Sequence, residues 1–446
     1  MRRPKETPSQ ASSKRRVRAD PQMSTAELTR PSHRLPRNGW GQFRFILLLI
    51  AAYFIGNSLN LALNVRTAKG AQTLVSSDSG QYLAISEQFL GGNFSMDYLR
   101  EVPHRQPLYP LLLAGATKLG NGNLFFLGVI NAAAMSLAIG SVYFGVLRFF
   151  RSPAVAAVSA FCVACNPFMW RTASARLLTE PLYALILIWV VIAFLHYLRE
   201  RKIIWILLGS LFAGLDYLTR PNGVFDAAAF LGVLFLAELV LLTPSEAKKE
   251  NFLNRALHLI PNYLCALLLL VAITAPAWIP RLVYFGDPLY HGYLTNFLWV
   301  DTYRYAHDFG EKFASYTWQD YFSTHNLFDL IGRVIHGLWN VCLKIPIGNE
   351  KVPILFLLSL AGIWTAVRKG PNEYRFLLLF FVIQLFPFIW TNLANPTARV
   401  PYGSTLPFEP FFAACFLARF APQLDAVLGS YLGFAPRLIQ RDRIAS

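Results

Sequence analysis

The sequence predicts an all-α polytopic membrane protein with about ten transmembrane helices. Of its 446 residues, 54% are hydrophobic and only 15% are charged, and the mean hydropathy is +0.39. A soluble domain carries about 25% charged residues. The apolar residues fall into runs of about 20 that are separated by short charged segments, which is the pattern of helices that cross a bilayer. We therefore expect most of the chain to lie in the membrane.

The first 42 residues are predicted to be a disordered basic arm. They are rich in Arg, Lys, Ser and Pro and hold too few apolar residues to bury a core. The next run, 43–63, is too long for a signal-peptide core and lacks a small-residue cleavage site, so we expect it to remain as the first span. The further predicted spans are 122–147, 153–169, 180–197, 203–219, 223–243, 259–279, 352–367, 376–391 and 405–420. Residues 43–420 thus form the predicted transmembrane domain, and 421–446 form a C-terminal tail.

The basic residues predict how these spans are oriented. If the N-terminus lies in the cytoplasm, the short inner loops carry most of the Lys and Arg residues, as the positive-inside rule requires, and the tail is cytoplasmic as well. A net charge of +16 would also suit a nucleic-acid-binding protein. Because many of these charges lie in the arm and in the short loops, we expect membrane lipids and not nucleic acid as partners.

Two segments on the predicted outer side fit no span. The first outer loop, 64–121, contains Asp78–Leu90, where apolar residues recur at helical spacing. Its end, Pro107–Pro110, suits the first turn of a short apolar helix, where proline is tolerated. The second outer segment, 280–351, is rich in aromatic residues, and an amphipathic helix is expected near 327–343. Both segments are therefore predicted to carry helices on the outer face.

Ionisable residues gather on the same predicted side of the membrane. They come from loops that are far apart in the sequence, and they include Asp78, Glu101, His104, Arg105, Glu180, Arg220, Arg281 and Arg399. Ionisable groups at membrane depth are energetically costly and usually mark function. A transport path places such groups near the middle of the membrane, whereas these are predicted at one surface. A polar reaction at the membrane surface is the favoured interpretation. A structural subunit without chemistry predicts instead that these residues do not come together.

Several short motifs occur in an order that resembles a known family. After Asp78 come HRQPLYP (104–110), LTEP (178–181), LTRP (218–221), APAWIPR (275–281), FGDP (285–288) and Arg399 before Pro401. This ordered set, over about 40–420, is similar to that of the polyprenyl-phosphate-sugar-dependent GT-C glycosyltransferases, which include the protein O-mannosyltransferases and the lipid A aminoarabinose transferase. The chain departs from the former because serines flank Asp78 in place of an acidic pair. It departs from the latter because Arg105 and Gln106 replace Glu-Lys.

The resemblance implies a GT-C fold and the transfer of a sugar from a polyprenyl-phosphate donor to a hydroxyl acceptor on a glycan, lipid or protein. It also implies single displacement with inversion, on the outer face of a prokaryotic plasma membrane. Asp78 would be the base that takes the acceptor proton. The residues that would bind substrate or lipid phosphate are Glu101, His104, Arg105, Glu180, Arg220, Arg281 and Arg399. No cofactor is certain, and a divalent metal between carboxylates stays an open alternative.

These residues also have structural interpretations. Asp78 is a good N-cap for a helix, Glu180 suits the positive end of a helix dipole, and arginines such as Arg105 can anchor to lipid headgroups. At the level of function, the alternative is a lipid-linked saccharide transporter or polymerase. That alternative shares the lipid substrate but does not need Asp78 as a base, so the two hypotheses predict different effects of replacing this residue.

Overall fold

The computed structural model is helical throughout, and no β-strand occurs among the residues that it describes. These are residues 39–67, 72, 74–75, 78–94, 96–240, 252–292, 297–302, 317–350, 354–393 and 399–432. Most of the predicted basic arm and the end of the predicted tail lie outside them. The predicted all-α fold is therefore confirmed, whereas disorder in the arm stays a prediction.

Eighteen α-helices follow one another in the described part of the chain. They are α1 (Gly39–Val65), α2 (Asp78–Leu90), α3 (Leu108–Leu119), α4 (Leu124–Phe150), α5 (Pro153–Ala164), α6 (Pro167–Ser174), α7 (Glu180–Glu200), α8 (Ile203–Thr219), α9 (Gly223–Val240), α10 (Phe252–Phe285), α11 (Trp318–Thr324), α12 (Leu327–Trp339), α13 (Ile345–Glu350), α14 (Ile354–Lys369), α15 (Asn372–Thr391), α16 (Arg399–Thr405), α17 (Glu409–Leu417) and α18 (Ala421–Leu432). A 3₁₀ turn covers Met96–Arg100, and a π-helical segment, Asn340–Lys344, joins α12 to α13.

Polar caps and prolines in the sequence set where several of these helices begin. The Asn123 side chain accepts from the backbone N–H of Phe125 at the start of α4. Ser152 and Asn166 cap α5 and α6 in the same way, and each is followed by a proline at the first helical position. This combination satisfies orphan N–H groups and fixes the backbone angle that a helix requires. The chain bends by 58° between α5 and α6, so this pair is a broken span or a re-entrant loop.

The predicted count of ten spans is not confirmed. Seven helices among the described residues are long and apolar enough to cross a membrane, or eight if the bent pair α5–α6 is one span. Helix α8 has 17 residues and the described part of α14 has 16, and both are shorter than the roughly 20 residues of a typical crossing. Conversely, Leu327–Ile347 passes as a candidate span, although its first part was predicted to be an amphipathic outer helix. Helices nevertheless occupy all ten predicted positions.

Small residues allow the membrane helices to pack closely. Helix α5 presents buried Ala154, Ala156 and Ala160 to its neighbours, and helices in lipid associate mainly through such close contacts. The tightest contact is at Gly362 in α14, where an added Cβ would lie only 1.7 Å from the carbonyl oxygen of Phe412 in α17. Any larger residue at Gly362 would force these two helices apart.

Two polar clusters lie at opposite ends of α7. Glu180 begins this helix of 21 residues and Glu200 ends it, which corresponds to about 30 Å of helix, the thickness of a bilayer core. Near Glu200, the Arg148 side chain approaches to 3.5 Å, and Arg199 donates to the backbone carbonyl of Phe149. This agrees with the predicted separation of anchoring arginines from the other polar residues. Which end faces the cytoplasm stays a prediction.

The first outer loop folds largely as the sequence predicts. Helix α2 has the predicted bounds Asp78–Leu90, and α3 begins directly after Pro107. The two helices pack together, and the rings of Tyr82 and Tyr109 meet edge to face at 5.2 Å. One boundary was wrong: α10 continues to Phe285, so Arg281 lies in a helix and not at the start of a loop. Prolines within this helix are tolerated because neighbouring groups in a membrane protein can satisfy the freed carbonyls.

Candidate functional site

An ion pair joins the beginning of α2 to the loop that precedes α3. The Nη2 atom of Arg105 lies 2.5 Å from Oδ1 of Asp78, and the two side chains are only 11% and 27% exposed. The same guanidinium donates from Nε to Oε1 of Gln81 at 2.6 Å and from Nη1 to the hydroxyl of Tyr82 at 3.0 Å. Positions 78, 81 and 82 share one face of a helix. A single arginine therefore binds one face of α2 through three side chains.

The backbone of the loop that carries Arg105 is bound by the side chain of Arg281. This side chain is completely buried. Its Nε and Nη2 donate to the carbonyl oxygen of Pro103 at 3.2 and 2.7 Å, its Nη2 also reaches the carbonyl of Arg105 at 3.4 Å, and its Nη1 donates to Ala277. All three guanidinium nitrogens thus bind backbone carbonyls. The structure places Arg281 as a support of the loop, and phosphate binding by this residue stays a prediction.

A second contact fixes the same loop to the segment after α10. The amide of Gln106 lies 3.1 Å from Nε2 of His291, and Nδ1 of His291 lies 2.6 Å from the carbonyl oxygen of Leu289. A carbonyl can only accept, so Nδ1 carries the proton and Nε2 accepts from the Gln106 amide. Burial, together with the nearby charge of Arg281, lowers the pKa of His291 to about 3. His291 is therefore neutral at physiological pH.

A second ion pair lies at the start of α7. Oε1 of Glu180 is 3.2 Å from Nη1 of Arg220, and the two side chains are 1% and 11% exposed. Glu180 is within electrostatic reach of the Tyr109 hydroxyl, and the ring of Tyr109 packs on that of Tyr82. Two tyrosines therefore lie between the Asp78–Arg105 pair and the Glu180–Arg220 pair, and the last step, from Tyr109 to Glu180, is electrostatic. Residues from the first loop, from α7 and from the end of α8 converge here.

The remaining predicted residues lie in different places. His104 is buried next to Arg105, whereas Glu101 is exposed in the preceding turn. Arg399 begins α16, but its side chain lies outside the described residues. That helix nevertheless borders the site, because a Cβ on Gly403 would lie 3.5 Å from Cγ of Glu180. The structure thus brings most of the predicted loops together and leaves Glu101 at the surface.

Sequence reasoning missed several polar residues that adjoin the site. Asp216 in α8 and Asp226 in α9 are completely buried, and the hydroxyl of Tyr183 donates to Oδ2 of Asp226 at 2.8 Å. Both carboxyl groups lie inside predicted spans, where ionisable residues usually mark function. This signal was available in the sequence. The contacts of Gln81 and Gln106, in contrast, depend on the course of the loop and carry no sequence signature.

A metal centre is not formed by the described residues. In that part of the chain, no three His, Cys, Asp or Glu side chains come together as ligands for an ion. The carboxylates of Asp78 and Glu180 are each paired with an arginine. A divalent metal between carboxylates therefore stays a prediction.

The comparisons with known proteins identify the fold. No protein-family model and no curated protein matches the chain. Solved structures do match: the apo oligosaccharyltransferase of Archaeoglobus fulgidus has a TM-score of 0.55 at 14% identity, over 90% of this chain and 53% of that one. The same protein in complex with Zn and sulfate gives 0.53 at 17%, over 87% and 51%.

ArnT from Cupriavidus metallidurans bound to undecaprenyl phosphate gives a TM-score of 0.52 at 18% identity, over 89% of this chain and 64% of ArnT. The chain therefore spans about half the length of the oligosaccharyltransferase and less than two thirds of ArnT. Both neighbours are GT-C fold glycosyltransferases. The predicted GT-C fold is confirmed, and this polytopic membrane fold is what the two comparisons establish.

Proposed function

We propose that the protein is a membrane glycosyltransferase that takes a sugar from a polyprenyl-phosphate donor. The observation that carries this proposal is the Asp78–Arg105 ion pair, which is largely shielded from solvent, together with the buried Glu180–Arg220 pair. Guanidinium groups bind phosphate oxygens in a bidentate manner, and a carboxylate can serve as a general base. The solved structure of ArnT with undecaprenyl phosphate supports a donor of this kind.

The ion pair suggests how donor binding and base activation are coupled. In the absence of donor, Arg105 neutralises Asp78 and makes this carboxylate a poor proton acceptor. A donor phosphodiester, whose single negative charge is shared by two oxygens, competes for the same guanidinium because it can accept two parallel hydrogen bonds from it. Exchange of partners would release Asp78 near the reacting sugar. In this proposal Asp78 becomes a base only when a donor is bound, which limits loss of the donor to water.

The reaction itself is a single displacement at the anomeric carbon. The acceptor hydroxyl oxygen forms the new glycosidic bond, the bond from the anomeric carbon to the phosphate oxygen breaks, and the proton of the hydroxyl moves to Asp78. The polyprenyl phosphate leaves with an additional negative charge, which Arg105 and Arg220 stabilise. Phosphate is a good leaving group, so the second carboxylic acid of a glycoside hydrolase is not needed. One displacement inverts the configuration of the sugar.

The other predicted residues receive supporting roles in this proposal. Glu180 holds Arg220 and can accept hydrogen bonds from sugar hydroxyls, and Arg399 begins a helix that borders Glu180. His104 lies buried beside Arg105, and Glu101, at the surface, is available to an acceptor that approaches from solvent. The acceptor is a hydroxyl of a glycan, lipid or protein at the outer membrane face, and the N-terminus lies in the cytoplasm.

Replacement of Asp78 tests this proposal. We would reconstitute the full chain in liposomes with undecaprenyl-phosphate-linked sugar and a membrane extract as the source of acceptors, and quantify free undecaprenyl phosphate by mass spectrometry. Wild type should release the lipid phosphate, and Asp78→Asn should abolish release while it retains the wild-type melting temperature. Asp97→Asn is the matched control, because this carboxylate lies in the same loop but is largely exposed, and it should behave like wild type.

A lipid-linked saccharide transporter is the alternative that this assay excludes or supports. A transporter would move the lipid-linked sugar between leaflets with the sugar still attached, and Asp78→Asn would not affect that movement. Intact donor in the opposite leaflet, without free undecaprenyl phosphate, would therefore overturn the transferase proposal.

A further inference from the structure

Two buried carboxyl groups flank, in the sequence, Arg220 of the Glu180–Arg220 ion pair. Asp216 is in the last turn of α8, and Asp226 is in the first turn of α9. Both side chains are completely buried. The mechanism described above uses neither of them. Burial of an ionisable group inside a membrane protein is costly unless the group is neutralised or hydrogen-bonded, so this pair requires a physical explanation.

The turn between α8 and α9 brings the two carboxyl groups together. The backbone N–H of Arg220 donates to the carbonyl of Asp216 at 2.9 Å, and the N–H of Gly223 donates to that of Arg220. A Cβ on Gly223 would lie 2.3 Å from the backbone nitrogen of Tyr217, so only glycine permits so tight a reversal. Asp216 and Asp226 consequently lie on either side of one tight turn and within electrostatic reach of each other.

Three helices contribute to the network around Asp226. The hydroxyl of Tyr183 in α7 donates to Oδ2 of Asp226 at 2.8 Å, and it also lies 3.0 Å from the hydroxyl of Ser404 in α16. These contacts join Asp226, in α9, to two other helices, one of which begins at Arg399. The network therefore fixes the position of the carboxyl pair within the bundle.

The burial of the two carboxyl groups requires a proton. Both oxygens of Asp216 and Oδ1 of Asp226 are buried without a hydrogen-bond donor, and an ionised carboxylate in that state is costly in a low-dielectric interior. Two such charges close together also repel each other, and a pair of this kind retains one proton between them. Asp216 and Asp226 therefore form one proton-sharing unit, as opposed to two independent anions.

The protonation of this unit determines which carboxylate Arg220 binds. Arg220 lies within electrostatic reach of both aspartates and is 3.2 Å from Glu180, and its guanidinium carbon lies 5.5 Å from the centre of the Tyr183 ring. Two ionised aspartates would attract Arg220 away from Glu180. A shared proton removes one of those charges and leaves the guanidinium directed towards Glu180 and the candidate site.

We propose that Asp216 and Asp226 are positioning residues, whose shared proton holds Arg220 against Glu180. The hydrogen bonds of Tyr183 with Asp226 and Ser404 keep Asp226 in place. Only one consequence of this inference rests on the proposed function, namely that Arg220 is available to a donor phosphate. The arrangement of the proton and of the ion pair stands without it.

An infrared measurement tests the shared proton. The full-length protein in lipid nanodiscs should show the carbonyl stretch of a protonated carboxyl, and part of that intensity should disappear in both Asp216→Asn and Asp226→Asn, because either change removes one partner of the pair. Glu409→Gln, which alters a different buried carboxyl, is the matched control. It should keep the part of the infrared intensity that the two Asn variants remove. If both Asn variants keep the full wild-type intensity, the proposal is overturned.

A double-mutant cycle tests the effect on Arg220. In wild type, the shifts in melting temperature caused by Glu180→Gln and Arg220→Gln should be non-additive by about 2–4 °C or more, because the two residues form a buried pair. This non-additivity should persist in Asp226→Asn, since asparagine reproduces the shape and one donor of a protonated carboxyl, and it should vanish in Asp226→Ala. If the non-additivity is lost equally in Asp226→Asn and in Asp226→Ala, the positioning role is overturned, because the negative charge of Asp226 would then be what matters.

The binding of undecaprenyl phosphate separates this proposal from the proposed function. Asp226→Ala should weaken the affinity of the nanodisc protein roughly tenfold, which corresponds to loss of one charge-assisted hydrogen bond, and Asp226→Asn should restore most of it. If wild type itself does not bind this lipid, while the infrared and double-mutant results are as expected, the proposed function fails and the role of the aspartate pair remains supported.

Discussion

Replacement of Arg105 by lysine separates the charge of this residue from its geometry. Lysine keeps the positive charge but concentrates it at one nitrogen, whereas the guanidinium of Arg105 spans three partners: Asp78, Gln81 and Tyr82. A lysine that still reaches Asp78 gives up the other two contacts. It also cannot bind a phosphate in a bidentate manner. If only charge mattered at this position, the substitution would have little effect.

The magnitude follows from the contacts that are lost. A hydrogen bond to a charged group contributes about 1.5–3 kcal/mol, so loss of one of two bonds to the donor phosphate predicts a Kd for undecaprenyl phosphate that is weaker by about 10- to 150-fold. We would measure this Kd by titration of the nanodisc-embedded protein and record the melting temperature of each variant in parallel. The fall in affinity should greatly exceed what any small loss of stability explains.

Arg100→Lys provides the matched control. Arg100 lies in the same loop, its side chain is 66% exposed, and its only acidic neighbour is Asp97 at 3.9 Å in the described residues. It should bind the lipid like wild type. Wild-type affinity in Arg105→Lys, or an equal loss in Arg100→Lys, would refute the assignment of the phosphate to Arg105.

Three further predictions concern the groups that support the site. Arg281→Met should lower the melting temperature by several degrees, because it leaves the carbonyl of Pro103 without both of its donors from Arg281 at a cost of about 1–3 kcal/mol, and thermal unfolding checks this. Burial lowers the pKa of His291 to about 3, so the unfolded chain binds one more proton between about pH 6.5 and pH 3. The free energy of unfolding should therefore decrease as the pH is lowered through this window, by up to about 1.4 kcal/mol per pH unit. The decrease should be less steep in His291→Gln, and unfolding measured at several pH values checks this. Glu180→Gln should destabilise the protein more than Glu101→Gln, since Glu180 neutralises a buried arginine whereas Glu101 is exposed, and the two melting temperatures decide this.

Each of these predictions has an outcome that contradicts it. Arg281→Met with wild-type stability would show that the loop does not depend on this side chain. Parallel pH profiles for wild type and His291→Gln would mean that His291 is protonated in the folded state as easily as in the unfolded one. Equal effects of the two glutamate substitutions would argue that the pair of Glu180 with Arg220 contributes no more than a surface charge.

The helices of the first outer loop could be predicted because local sequence determines them. Helix α2 has the predicted bounds, and α3 starts where Pro107 allows it to start. The number of membrane crossings was less accessible, because hydropathy does not reveal whether a helix of 16 or 17 residues, such as α8 or α14, crosses the bilayer. Packing against neighbouring helices decides that, and packing depends on contacts that are remote in the sequence.

The sequence could predict which residues belong to the candidate site, but not which of them form ion pairs with one another. The sequence indicates that Asp78, Arg105, Glu180 and Arg220 lie on one side of the membrane, and the structure brings them into two linked ion pairs. Nothing in the sequence shows which carboxylate each arginine binds. Arg281 illustrates the limit: its chemistry suits a phosphate, but its location inside α10 directs it to backbone carbonyls.

A structure of the protein with undecaprenyl phosphate in nanodiscs, determined by electron cryomicroscopy, would show whether Arg105 binds the donor phosphate. We predict that the lipid phosphate lies within hydrogen-bonding distance of the Arg105 guanidinium and that Asp78 has separated from Arg105 to face the position of the sugar. A lipid phosphate bound elsewhere, with the ion pair between Asp78 and Arg105 intact, would contradict it.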